Sequence, residues 1–153
     1  IWDTMNVNVK YAGGVQMSYS LFAYSPWEGY TISFNGTKGR LQHKVKESSY
    51  ISGDGTVPAE FIEDGSYTTI FPHFKAPYSV DFWTGSGGHN GADPVMLQEI
   101  FAPNTIEPDK YKRAADQRSG AYSILTGVAA GKSILEGTAV NIADLVPDIG
   151  MPD

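Results

Sequence analysis

Apolar and polar side chains alternate with a period of two through most of the first 45 residues, and that pattern restricts this part of the chain to half-buried β-strands. Met5, Val7 and Val9 interleave with Asn6, Asn8 and Lys10, Tyr11-Ala12-Gly13-Gly14 supplies turn residues, and Val15, Met17, Tyr19 and Leu21 resume the alternation. The spacing predicts a hairpin whose strands each carry one apolar face. After Pro26 the alternation restarts at Tyr30, Ile32 and Phe34, runs into Asn35-Gly36 and Gly39, and continues through Leu41, His43 and Val45. This predicts a second hairpin, with Asn35-Gly36 supplying the positive φ angles of its turn.

From Glu47 to Gly65 the composition is polar and glycine-rich, with Gly53-Asp54-Gly55 and Glu63-Asp64-Gly65 but little periodicity, which predicts a surface excursion. Tyr67 to Phe74 and Tyr78 to Trp83 are β-branched and aromatic; Pro72 and Ala76-Pro77 interrupt them, so both are expected to be kinked or edge strands. The period then changes. A loop from Gly85 to Gly91 precedes Asp93-Pro94, expected as N-cap and first-turn proline of a short helix to about Phe101, with Met96, Leu97, Ile100 and Phe101 on one face. Ala121, Ile124, Leu125, Val128 and Ala129 follow the i, i+3, i+4, i+7, i+8 spacing of a longer helix, from roughly Asp116 to Leu135, with Gly137 as its C-terminal cap. Gly127 and Gly131, beside Ala121 and Ala130, imply close packing, because glycine inside a helix costs about 1 kcal/mol relative to alanine. Strands first and helices later indicate an α+β domain around one core, with an open, mostly antiparallel sheet and helices packed on one face.

Charge and composition then exclude whole classes of function. Eleven Lys and Arg stand against 17 Asp and Glu, a formal net charge of −6, without a basic run; this excludes nucleic acid and anionic membrane surfaces as expected partners. No apolar run approaches the roughly 20 residues of a membrane span. The chain has no cysteine, so disulfides, thiolate catalysis and cysteine-held metals are ruled out. Ile1-Trp2-Asp3 shows neither an initiator Met nor the regions of a signal peptide, so the chain is read as a piece of a longer protein.

The glycine loop is the first candidate site, because phosphate-binding loops lie between a strand and a helix. Gly85-x-Gly87 would need glycine at position 90 to complete a dinucleotide fingerprint, and Asn90 stands there. Either the glycines make a tight connection or the loop faces a ligand. His89 could donate to a sugar hydroxyl or satisfy its own loop. His43 shares a strand face with Leu41 and Val45, which marks it as a half-buried structural histidine; His73, between Pro72 and Phe74, is open to either reading. The three histidines lack metal-site spacing, and no metal is expected. Gly85-Ser86-Gly87 lacks the G-x-S-x-G nucleophile elbow. Asp54 and Asp64 fit turn chemistry rather than a calcium loop, and Asp81 with Glu99 would be a conceivable glycosidase pair. Trp27, Tyr30, Trp83 and Tyr122 suit either a core or interface, or a sugar-stacking surface.

Three segments together carry a family resemblance. Asp3-Thr4 with the hairpin that follows and Gly36-Thr37-Lys38-Gly39-Arg40-Leu41 resembles the start of the C-terminal domain of the Gfo/Idh/MocA oxidoreductases. Gly87-Gly88-His89-Asn90-Gly91-Ala92-Asp93-Pro94 resembles the glycine-histidine loop of a subgroup that usually reads G-G-H-G-G-G-D. Ala115 to Ala121, Leu125 to Ala130 and Val140 to Leu145 resemble that subgroup's closing helix and tail. The resemblance implies a Rossmann domain, preceding this chain, joined to an open antiparallel sheet. A sugar, inositol or related polyol lies between them, NAD(P) exchanges hydride with it, and the exposed sheet face forms a homo-oligomer; some relatives instead use a retained cofactor for glycoside cleavage. It also implies that the principal lysine and Asp/His motifs lie upstream, leaving this chain no catalytic residue and no cofactor fingerprint, with His89, Asn90 and Asp93 as its substrate-binding residues. Asn90 and Ala92 replace two of the subgroup's loop glycines, and Gly131 stands where Asn is common. The alternative reading is a non-catalytic carbohydrate-binding or dimerisation β module.

Overall fold

A computed structural model of the chain describes residues 2–25, 27–48, 66–83, 85–86 and 88–147. The chain divides into two compact units, Ile1–Thr84 and Gly85–Asp153, where the sequence suggested a single core.

Among the described residues the first unit holds six strands in two sheets. β1 (Thr4–Lys10) and β2 (Gln16–Phe22) form the first hairpin in the expected alternation. Met5, Val7 and Val9 stand opposite Leu21, Tyr19 and Met17, so both strands put their apolar residues on the same face. On the other face Ser18 donates to Asn8 Oδ1 at 2.8 Å and Ser20 to Asn6 Oδ1 at 2.7 Å. The turn closes through the Gly14 N–H on the Tyr11 carbonyl, with Gly14 at φ 86°.

β3 (Glu28–Gly36), β4 (Gly39–Ser48), β5 (Tyr67–Pro72) and β6 (Tyr78–Ser79) make an antiparallel meander in that order. Register sorts the side chains of this sheet. Phe34 faces Leu41, which faces Ile70, which faces Tyr78; one step along, Ile32 faces His43, which faces Thr68. These rows share one face, since opposed residues in an antiparallel ladder point the same way. The other face carries Thr31, Ser33 and Asn35 opposite Lys44, Gln42 and Arg40. The result is a sheet with one apolar face and one mostly polar face, the latter broken by Phe71 opposite Arg40 and Tyr67 opposite Lys44.

Three local expectations are corrected. The strands run through Asn35-Gly36 and pair Gly36 with Gly39, so the turn residues are Thr37 and Lys38. Positive φ falls on Gly39 at 151°, where a Cβ would lie 2.3 Å from the Phe71 carbonyl oxygen; only glycine lets β4 approach β5 there. β5 and β6 are shorter than predicted: β5 ends at Pro72, where His73, Phe74 and Lys75 turn, and β6 spans Tyr78–Ser79. The excursion placed at Glu47 to Gly65 starts later, since β4 continues to Ser48; Asp54, Asp64 and the rest of it lie outside the described residues.

The second unit contains α1 (Ala92–Phe101) and α2 (Gln117–Glu136). α2 matches the predicted bounds because both of its caps are legible. Asp116 accepts the Ser119 N–H at 2.8 Å, and Gly137 adopts φ 67° while its N–H bonds the Ser133 carbonyl. Before it, Asp109 folds the 109–114 turn by accepting from the N–H groups of Ala114 and Tyr111. Among the described residues the buried apolar side chains are Leu125 and Ala129 of α2, while Ile124 on the same helix is 71% exposed. No described helix is long and apolar enough to cross a membrane.

The close packing inferred for Gly127 and Gly131 is not supplied by the described residues, since none of their atoms lies within 4 Å of a Cβ built on either glycine. Alanine at each should therefore relieve the helix-propensity cost and raise stability by about 1 kcal/mol per site, read as a higher urea midpoint at unchanged slope. Acid should act on α2 through Asp116. The Ser119 backbone N–H holds that carboxyl below its ordinary value, so its contribution is complete above the unfolded carboxylate pKa and is lost as pH falls through the lowered folded one. Far-UV circular dichroism should show Asp116→Ala less helical than the parent at neutral pH, with the two converging in strong acid.

Candidate functional site

The loop before α1 is built by a glycine that nothing else can replace. Gly91 is buried, caps α1 at φ 87°, and would place a Cβ 2.5 Å from Gly85 Cα and 2.9 Å from the Ser86 nitrogen. The segment therefore folds back on itself, with Gly85-Ser86 packed on Gly91. Residues Gly88–Gly91 form one tight 3-10 turn across the fold-back, and His89 sits on it at φ 50°, in the left-handed region that histidine enters at a cost of roughly 1–2 kcal/mol.

That conformation turns the imidazole outward. His89 is 84% exposed, and its Nδ1 donates to Asp93 Oδ1 at 2.8 Å, one helical turn on. The pairing corrects the role given to Asp93. The helix begins at Ala92, its N-cap is Gly91, and no side chain caps it; the Asp93 carboxylate is engaged by an imidazole instead of a backbone N–H. The H-x-x-x-D spacing, four residues across a turn running into a helix, is the signal that could have found the pair. Asn90 belongs to the same turn, but its side chain lies outside the described residues.

The other histidines are structural. His43 stands half-buried in the apolar face of the four-stranded sheet, pairs with Thr68 Oγ1 at 2.8 Å, and meets the Phe82 ring edge-on at 5.2 Å. His73 donates from Nε2 to the Gly36 carbonyl at 3.3 Å, tying the 73–75 turn to the end of β3. Asp81 lies in the first unit and Glu99 in the second. Among the described residues no three His, Asp or Glu side chains gather as a metal site. Trp27 is half-buried beneath Lys44, whose Nζ lies 5.7 Å from the ring centroid, whereas Trp83 is largely exposed.

A surface concavity of about 780 Å³ opens on the apolar side of the sheet, between the β3–β4 and β5–β6 turns. Phe34, Tyr78 and Phe74 line it, with Lys38, Arg40 and Lys75 among its cations. It lies in the first unit, whereas the His89 loop belongs to the second. Of the two, the loop carries the better chemistry, because it presents the His89–Asp93 pair.

Among the described residues the sheets of the first unit are open and antiparallel, and the helices belong to the second unit, an α+β composition. Over 95% of its length this chain is 33% identical to a protein of Bacillus subtilis (strain 168) named "Putative oxidoreductase YteT". The 146 aligned residues make up 32% of that protein, so the chain spans about a third of the length of the curated relative it matches. No family model matches the chain. No solved structure matches it either.

If Gly91 holds the loop, Gly91→Ala should cost at least about 2 kcal/mol locally, from a disfavoured φ and a backbone clash. Hydrogen exchange should show faster exchange of the α1 amides with those of α2 unchanged.

Proposed function

We propose that this chain is the C-terminal, sheet-bearing part of a two-domain NAD(P)-dependent oxidoreductase of the Gfo/Idh/MocA type, acting on a sugar, inositol or related polyol. The observation that carries the reading is the similarity to the B. subtilis protein, which runs across nearly the whole chain while leaving about two thirds of the relative beyond it. That remainder gives room for a Rossmann domain, to which the reading assigns the cofactor, the lysine and the Asp/His motif.

On this reading the chain supplies a wall of the substrate pocket and a surface for self-association. His89, with Asn90 and Asp93, meets substrate hydroxyls from the fold-back loop. An exposed imidazole on a strained, glycine-held turn supports that role, since such outliers cluster at functional sites. The loop is not assigned to a dinucleotide phosphate, because Asn90 breaks the glycine fingerprint.

The apolar face of the four-stranded sheet is assigned to a second copy of the chain. Phe34 is 63% exposed there, and Tyr30, Ile32 and Tyr78 are also exposed. Burying what remains exposed of these four half-buried side chains on both copies gains on the order of 6–12 kcal/mol. Association costs about 4–15 kcal/mol. A pair held this way is therefore reversible in the isolated chain. This same face favours the second reading, a dimerisation module without catalysis, over a helix-poor carbohydrate-binding module, which the 20-residue α2 disfavours.

Titrating NADH with this chain should leave its fluorescence unquenched at stoichiometric concentrations; tight one-to-one binding would contradict the division of labour between domains. In sedimentation the chain should associate as concentration rises, and Phe34→Glu should keep it monomeric. A parent chain that stays monomeric at high concentration would remove the self-association role.

A further inference from the structure

The loop bearing His89 contains a carboxylate whose effect on the imidazole goes beyond holding it in place. We propose that Asp93 is a positioning residue that fixes His89 in the Nδ1-protonated tautomer, so that Nε2 meets the ligand as a hydrogen-bond acceptor. The site would then recognise a ligand hydroxyl by its proton, taking an O–H donor in preference to a carbonyl or ether oxygen.

The chemistry follows from one contact. An ionised carboxylate offers only lone pairs, so the hydrogen in the 2.8 Å contact between His89 Nδ1 and Asp93 Oδ1 belongs to the ring. In a neutral imidazole with Nδ1 protonated, Nε2 has no hydrogen and presents a lone pair. Among the described residues no group engages that nitrogen, and the side chain is 84% exposed. The backbone assists, because φ 50° at His89 and the fold-back on Gly91 set the ring over the first turn of α1, within reach of a carboxylate four residues on. A sequence reading of His89 as a hydroxyl-directed donor is thereby reversed for the neutral ring.

The inference rests on the substrate-wall reading only for the identity of the ligand; the tautomer is a property of the chain alone. The test is a long-range proton–nitrogen spectrum of the histidine rings in the whole 153-residue chain, at a pH where titration shows the His89 ring neutral. The parent should give a protonated Nδ1 and an unprotonated Nε2. Asp93→Ala should move both nitrogen signals toward the tautomer mixture of a free histidine, while Pro94→Ala, which alters the same turn but keeps the carboxylate, should leave them unchanged. A protonated Nε2 in the parent, or signals indifferent to Asp93→Ala, would overturn the proposal. Adding myo-inositol to the parent separates the two readings: with the Nδ1-protonated ring in place, an Nε2 signal that moves supports both, and failure of myo-inositol to shift any loop resonance counts against the substrate wall alone.

Discussion

Burial of apolar surface on one side only is the constraint on which the first unit depends. Tyr30, Ile32 and Phe34 on β3, Leu41, His43 and Val45 on β4, Ile70 on β5 and Tyr78 on β6 share a face through strict register. A slip of one residue would send this whole set to the polar side, so the sheet is specified by the difference between its faces and not by a core filled from both. Phe82 covers His43, yet Phe34, Ile32 and Tyr78 remain exposed. The second unit repeats the imbalance on a helix: Leu125 and Ala129 are buried, while Ile124 and Val128 are exposed. Such surfaces call for a cover, and the proposed Rossmann domain and second copy are the covers that the functional reading provides.

Much of the fold was legible because it depends on local rules. Period-two alternation and Gly13-Gly14 were enough for the first hairpin, and Asp116 with Gly137 bounded α2 to within a residue at each end. Expectations failed where a tertiary contact decided the outcome. Asn35-Gly36 reads as a turn, but the close approach of Gly39 to Phe71 moves the reversal two residues on. Asp93 reads as an N-cap, but an imidazole four residues earlier competes for its carboxylate. Gly127 and Gly131 read as packing glycines, and the described residues hold nothing against them.

The site shows the same division. The sequence named His89 and Asp93 among the substrate-binding residues without pairing them; their hydrogen bond depends on a positive φ and a glycine fold-back that composition does not reveal. An exposed dyad of this kind has little chemistry of its own in open water. Enclosure by another domain would lower the local dielectric and strengthen each of its hydrogen bonds, which fits a pocket completed from two sides.

The one-sidedness of the four-stranded sheet is tested most directly by hydroxyl-radical footprinting of the chain across a concentration series, comparing Tyr30, Phe34 and Tyr78 with Phe71 on the opposite face. In dilute solution the first three should be oxidised readily and should become protected as concentration rises, while Phe71 stays constant. Strong protection of Tyr30, Phe34 and Tyr78 even at the lowest concentration, as a sandwich filled by the chain's own residues would give, would contradict the account.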